Sequence, residues 1–165
     1  MTPNEVAAEL VRRALRGETG GLFEAIADLT EAALRDDLTD DTRRLGFWIN
    51  VYNAGVRFDV IRDTERKQRK YLFFARNGLV VAGKRLTFNQ IEHGMLRRSM
   101  LGFSMGYVRN PLPGRFEREF RVQRRDPRVH FALNCGARSC PPVQVYEPES
   151  VDRQLEAATR EYLTG

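Results

Sequence analysis

Two cysteines and two histidines hold most of the nucleophilic and proton-transferring capacity of this chain. Cys135 stands in Asn134-Cys135-Gly136-Ala137-Arg138-Ser139-Cys140, followed by Pro141-Pro142. Gly136 lets the backbone turn sharply and offer amide groups, and Arg138 adds a fixed positive charge close to the sulfur. Both features favour the thiolate, the reactive form of cysteine. An imidazole from His93 or His130 can serve as the base, with Glu92, Asn50 or Asn53 orienting it. A nucleophile, an imidazole, an orienting group and amides for an oxyanion are the parts of a cysteine hydrolase or acyl transferase.

The same residues support two other classes of function. In a binding module for a small anionic ligand or a peptide, Arg97 and Arg138 would grip a carboxylate or phosphate through their guanidinium forks. Asn50, Asn53, Asn134, Ser139 and Cys140 would complete that ligand-binding set. In a dithiol redox or metal site, Cys135 and Cys140 would act together. Their spacing departs from the C-x-x-C of thioredoxin-like motifs, and His93 and His130 are too far apart in sequence to give the paired spacing of zinc ligands. No metal or cofactor is expected. Plainer roles stay open too: a cysteine as a small buried apolar residue, His93 in an ion-pair network with Glu92 and Arg97, and Asn50 and Asn53, on one helical face, satisfying buried backbone groups.

The elements that must position these groups are readable in outline. Thr2-Pro3-Asn4-Glu5 opens a helix that ends near Gly17. Leu22 to Leu34 reads as a second helix, and a third runs from Thr39 or Asp40 to about Ile61 with Trp48, Ile49 and Tyr52 on its apolar face. Residues 71–75 and 79–81 read as strands joined by an Asn77-Gly78 hairpin turn, and Gly83-Lys84 marks a further turn. Thr87 and Gln90 form a second capping box, opening a helix that carries Glu92, His93, Leu96 and Arg97. Residues 102–125 read as a long loop, broken by a short helix over 115–120 and suited to covering a site. After Asp126-Pro127, alternation predicts a strand with Val129, Phe131 and Leu133 on one face and His130, Ala132 and Asn134 on the other. A last helix runs from about Pro148 to Leu163. These elements predict an α/β (α+β) fold: a single helix-rich domain over residues 1–165 with a small β-sheet, its N-terminal helices in residues 1–40.

Composition narrows the classes. The 165 residues carry a net charge of +5, with hydrophobic residues at 42% and charged residues at 30%, a globular mixture rather than a disordered one. The 27 basic residues are 24 arginines and 3 lysines. Their interleaving with acids, as in Glu117-Arg118-Glu119, reads as solvated faces, and no RNA- or DNA-binding signature accompanies them, so a nucleic-acid partner is not expected. No apolar run is long enough to span a bilayer and no signal-peptide layout opens the chain, which predicts a cytoplasmic protein without a membrane partner.

Three blocks resemble the signature segments of a known family. They are Phe47-Trp48-Ile49-Asn50-Val51-Tyr52-Asn53-Ala54, the stretch from Leu86-Thr87 through Ile91-Glu92-His93-Gly94-Met95-Leu96-Arg97, and residues 126–142. Together they resemble the DUF547 family over about residues 43–163, with less of the likeness in the N-terminal helices and in 102–125. The resemblance implies a domain that stands alone in bacteria and archaea and is joined in plants to a leucine zipper, of which this sequence has no trace. The family is defined without a function, so the likeness leaves the chemistry to the residues.

Overall fold

A computed structural model describes residues 1–18, 21–62, 74–75, 77–104, 107–136 and 139–165. The first helix, α1 (Pro3–Arg16), starts and stops where the sequence predicts. The Thr2 hydroxyl accepts the Glu5 N–H at 3.3 Å, and the Glu5 carboxylate accepts the Thr2 N–H at 2.6 Å, closing a capping box. Gly17 ends it in the left-handed conformation at φ 74°. The predicted second helix is two: α2 (Leu22–Ala27) and α3 (Glu31–Asp37). Thr30 divides them, because its hydroxyl accepts the Ala33 N–H at 3.0 Å as a fresh N-cap.

The central element is α4 (Asp41–Arg62). Phe47, Trp48, Ile49, Val51, Tyr52, Ala54 and Val56 are all buried, so apolar side chains leave this helix on nearly every side and neighbours cover it all round. α1 lies along one flank and a π-helix, described below, along another. The Trp48 indole donates to the Phe120 carbonyl at 2.8 Å, giving a buried N–H its partner. Gly55 is the point of closest approach, since a Cβ there would stand 2.7 Å from the Phe88 ring.

The sheet is a two-stranded antiparallel hairpin, β1 (Gly78–Val81) against β2 (Lys84–Thr87), with Leu79 opposite Leu86. Its turn is Ala82-Gly83, at φ 48° and 72°, and not Asn77-Gly78. The reason is tertiary: the Ala82 and Gly83 amides donate to the carbonyls of Ile26 and Ala27 at 3.1 and 2.9 Å, satisfying the open C-terminal end of α2. Of the predicted first strand, residues 71–73 lie outside the described residues, while Phe74 and Ala75 are helical.

Thr87 and Gln90 form the predicted capping box, at 2.8 and 3.1 Å. The helix that follows is a π-helix, Gln90–Leu96, with Arg97 as its C-cap. A short helix, α5 (Arg115–Phe120), interrupts the long loop as predicted. The predicted strand at 129–134 is absent: Pro127–Phe131 is a 3₁₀ helix, capped by Asp126 and opened by Pro127. Val129, Ala132 and Leu133 are buried there, and the first two, three apart, match a threefold repeat. α6 (Val151–Thr164) closes the chain, burying Val151, Leu155 and Ala158. The fold is helix-rich α+β with one small hairpin.

Candidate functional site

A cavity of about 230 Å³ opens where α4, the π-helix, the 3₁₀ helix, Cys135, residues 139–141 and α6 converge. Its walls carry Cys135, Cys140, Ser139, His130, Arg97 and Glu92, with Tyr52, Leu133, Pro141 and Tyr162. The acid and the base of the wall are joined: Arg97 Nη2 lies 3.2 Å from Glu92 Oε1. The Tyr52 hydroxyl donates to Glu92 Oε2 at 3.3 Å. Burial, then the adjacent Glu92 carboxylate and the thiols of Cys135 and Cys140, push that hydroxyl well above the usual tyrosine range, so it stays protonated and a donor.

The turn that holds the thiols is pinned by three asparagines. Asn53 donates from Nδ2 to the Ala132 carbonyl and accepts the Asn134 N–H, each at 2.9 Å. Asn50 holds the Tyr146 backbone in the same two-point manner, at 2.8 and 2.9 Å. Both side chains are fully buried and neither lines the cavity. Of the two roles the sequence left open for them, orienting a ligand or an imidazole and satisfying buried backbone groups, they take the second: they pair backbone groups of the segments entering and leaving the turn, where an unpaired buried group would be costly. Asn134, likewise expected to bind ligand, closes the turn on itself, donating to the Pro141 carbonyl and accepting the Gly136 N–H, both at 2.7 Å.

These bonds revise the expected electrostatics at the sulfur. The Gly136 amide belongs to Asn134, and the Cys135 amide points at Cys140 Sγ, 3.2 Å away. Neither is open to an oxyanion. The amide that was expected to favour one thiolate serves Cys140 rather than Cys135. Ala137 and Arg138 lie outside the described residues. No disulfide joins Cys135 to Cys140.

The two imidazoles separate. His130 lines the thiol cavity and, with Arg97, also walls an adjoining cleft of about 260 Å³ that includes Arg125 and Asp126. Its ring meets Phe131 edge-on at 5.3 Å. His93, on the π-helix, does not line the cavity. It packs against Gly102, where a Cβ would stand 3.0 Å from the ring. Its Nδ1 is buried without a hydrogen-bond partner among the described residues. Burial holds the imidazole below the usual histidine range, with Glu92 opposing that shift and Arg97 adding to it. Among the described residues neither histidine is ion-paired to a carboxylate, and Glu92, expected to orient an imidazole, has its oxygens engaged by Tyr52 and Arg97.

Tyr52, Leu133, Pro141 and Tyr162 were not anticipated at the site. Tyr52 sits between Asn50 and Asn53 and was read as core. Tyr162 fell on the docking face of the last helix, with no signal to distinguish it from Leu155 or Ala158. A larger cavity, of about 490 Å³, lies between Phe23, Phe58, Leu79 and Phe88 with Glu24 and Asp59 at its wall; it holds neither thiol nor imidazole. Among the described residues no three His, Cys, Asp or Glu side chains gather as a metal would require, and no helix is long and apolar enough to cross a membrane.

Comparison with curated proteins and with solved structures gives no match. The family model described as "Protein of unknown function, DUF547" matches residues 36–163. That span takes in α4, the π-helix, the thiol turn and nearly all of α6, every element that walls the cavity, and the chain belongs to the DUF547 family.

Proposed function

We propose that the chain is a thiol-dependent enzyme of the cysteine hydrolase or acyl-transferase type, acting in the 230 Å³ cavity. The observation that supports this reading is the presence of two thiols, one imidazole and one carboxylate–guanidinium pair on the walls of a single small cavity. In this reading Cys135 is the nucleophile and His130, not His93, is its base. His130 takes the Cys135 proton, and the thiolate attacks the carbonyl carbon of an ester or amide. The leaving group departs with the proton from His130, and water or a second acceptor then takes the acyl group from sulfur. With the Cys135 and Gly136 amides already engaged, charge on the carbonyl oxygen is met by the Arg97 guanidinium on the cavity wall. The test is acylation by p-nitrophenyl acetate followed by peptide mass spectrometry. The reading expects one acetyl group on Cys135, absent in Cys135→Ser and much slower in His130→Ala but not in His93→Ala. Acetylation spread over both thiols and indifferent to His130 overturns it.

One observation favours a second reading, a dithiol redox pair. The Cys135 N–H donates to Cys140 Sγ at 3.2 Å, tying the two cysteines together. The bond draws Cys140 Sγ to within reach of the neighbouring cysteine by covalent geometry alone, since a cysteine sulfur lies only about 3–4 Å from its own backbone nitrogen. Under this reading a hydroperoxide oxidises the Cys140 thiolate to a sulfenic acid with loss of the alcohol or water, and the Cys135 thiol displaces water to give the disulfide. Stoichiometric loss of both free thiols in one intramolecular bond, with no acyl adduct, selects it.

A further inference from the structure

Outside the thiol cavity, a second cluster of charge gathers around one buried serine. Ser99 is 1% exposed and follows the π-helix in a left-handed conformation, φ 59°, as does Arg98 at φ 55°. Consecutive left-handed positions are strained in residues other than glycine. They turn the chain back, so that the Ser99 and Met100 amides donate to the carbonyls of Gly94 and His93 at 2.8 and 2.9 Å. The return strand of the loop then meets this bend: the Asn110 N–H donates to the Ser99 carbonyl at 2.7 Å, and Met100 bridges to Arg109. From just past the end of α5, where Arg121 is the extended C-cap residue, Arg121 Nη1 donates to the Ser99 hydroxyl at 2.5 Å, with Arg118 three residues earlier, inside α5. Four arginines that are spread over 24 positions of sequence therefore share one neighbourhood.

None of the four has a carboxylate counter-ion, a property that Arg57, Arg124, Arg125 and Arg153 share among the described residues; what sets the four apart is that they gather around one buried group. Arg12, Arg13, Arg16, Arg35, Arg43, Arg44, Arg97, Arg115, Arg128 and Arg160 all pair with carboxylates. Among the described residues, Arg98, Arg109, Arg118 and Arg121 pair with none, and the Arg98 Nε is buried without any partner. The one acid nearby, Glu117, leans instead on Gly94, where a Cβ would stand 2.8 Å from its Oε2. Burial, then Arg98, Arg109 and Arg118, pull the Arg121 guanidinium below its ordinary range against the opposing pull of Glu117. The guanidinium nonetheless stays charged at neutral pH. Mutual repulsion held in place by a strained backbone is the arrangement of a site whose counter-charge comes from outside.

We propose that Arg98, Arg109, Arg118 and Arg121, assembled around Ser99, form a binding site for a phosphate group. A carboxylate has two oxygens and one charge, which one or two guanidinium forks satisfy; a phosphate monoester offers three outer oxygens and close to two charges, and suits three or four. The group can belong to a small phosphorylated molecule or to a lipid headgroup. Tyr107 and Leu112, 88% and 86% exposed beside the cluster, make the second source worth a separate arm.

The experiment is calorimetric titration of the full chain with inorganic phosphate and pyrophosphate at about 0.15 M salt, where long-range attraction is screened. A parallel arm measures co-sedimentation with phosphatidylglycerol and phosphatidylcholine vesicles. Arg109→Gln and Arg118→Gln are exposed substitutions that leave the core untouched, and Arg153→Gln, an exposed arginine on α6, is the control. The site predicts saturable one-to-one binding, weakened about tenfold or more by Arg109→Gln and by Arg118→Gln and unchanged by Arg153→Gln. Binding only to phosphatidylglycerol vesicles, with the same dependence on the two variants, assigns the phosphate to a lipid. No binding in either arm overturns the site, and so does a loss in Arg153→Gln equal to that in Arg109→Gln, which is the behaviour of diffuse surface charge.

Discussion

Replacing Asn53 by alanine tests how the thiol turn is held. The side chain is 0% exposed and makes two bonds of 2.9 Å to backbone groups about 80 positions away, the Ala132 carbonyl and the Asn134 N–H. Ala132 is itself buried, at 2% exposure, so its carbonyl loses its partner with no water to replace it, at about 1–3 kcal/mol. Asn134 is only partly buried, and its N–H costs less, about 1 kcal/mol. The small void left on α4 adds a further fraction. The sum is about 3 kcal/mol, to be read as a lower urea midpoint at unchanged slope and a fall in Tm of roughly 6–12 °C for a chain of this size. Asn50→Ala is predicted to match it, since it strips the same two kinds of bond from Tyr146. At a temperature where the variant stays folded, Cys135 should also alkylate more like an ordinary thiol, because the clamp fixes the path of residues 132–134 into the turn. A stability loss below about 1 kcal/mol, or a thiol unaffected by it, would refute the account of Asn53 as the anchor of the site.

Further outcomes follow from single contacts. His93 is held below the ordinary histidine range by burial; its unfolded form therefore takes up a proton that the folded form resists, and stability falls as pH drops below about 6.5. His93→Asn should flatten that limb of a urea-midpoint-against-pH curve, and a limb that persists unchanged assigns it elsewhere. Gly55→Ala drives a Cβ to 2.7 Å from the Phe88 ring and should cost about 1–3 kcal/mol by overpacking, measured by thermal melting. Thr87→Ala removes one half of the box that opens the π-helix and should cost about 1 kcal/mol, with little change at α1, whose own box at Thr2 is separate.

What the sequence disclosed and what it hid divide along physical lines. Helix ends set by local chemistry were legible: the Thr2 and Thr87 boxes, Gly17, and the short helix at 115–120. Where distant groups decide, local signals misled. Asn77-Gly78 carries the stronger turn preference, yet the hairpin turns at Ala82-Gly83, because those amides cap α2 from across the fold. The run Val129-His130-Phe131-Ala132-Leu133-Asn134 alternates well enough for a strand, but the burial of Val129 and Ala132 fits a period of three as readily, and Asp126-Pro127 starts a 3₁₀ turn. At the candidate site, the convergence of Glu92, Arg97 and both cysteines with one histidine came from residue types and order. The choice of His130 over His93 did not, since it depends on which imidazole faces the cavity. Asn50 and Asn53 were conspicuous as polar residues on an apolar helix face, while their partners, 79 to 96 positions away, left no local trace. The arginines read as interleaved along the chain lose that interleaving in space around Ser99.

The most direct measurement on the thiol account is the pH dependence of iodoacetamide alkylation, resolved by peptide for Cys135 and Cys140, in the wild type and in His130→Ala and His93→Ala. The account predicts that Cys135 reacts with an apparent pKa well below the free-thiol value of about 8.5, that His130→Ala raises it, and that His93→Ala leaves it in place. An ordinary titration at Cys135, with Cys140 as the thiol that ionises early, contradicts the account and transfers the chemistry to the sulfur that holds the backbone amide.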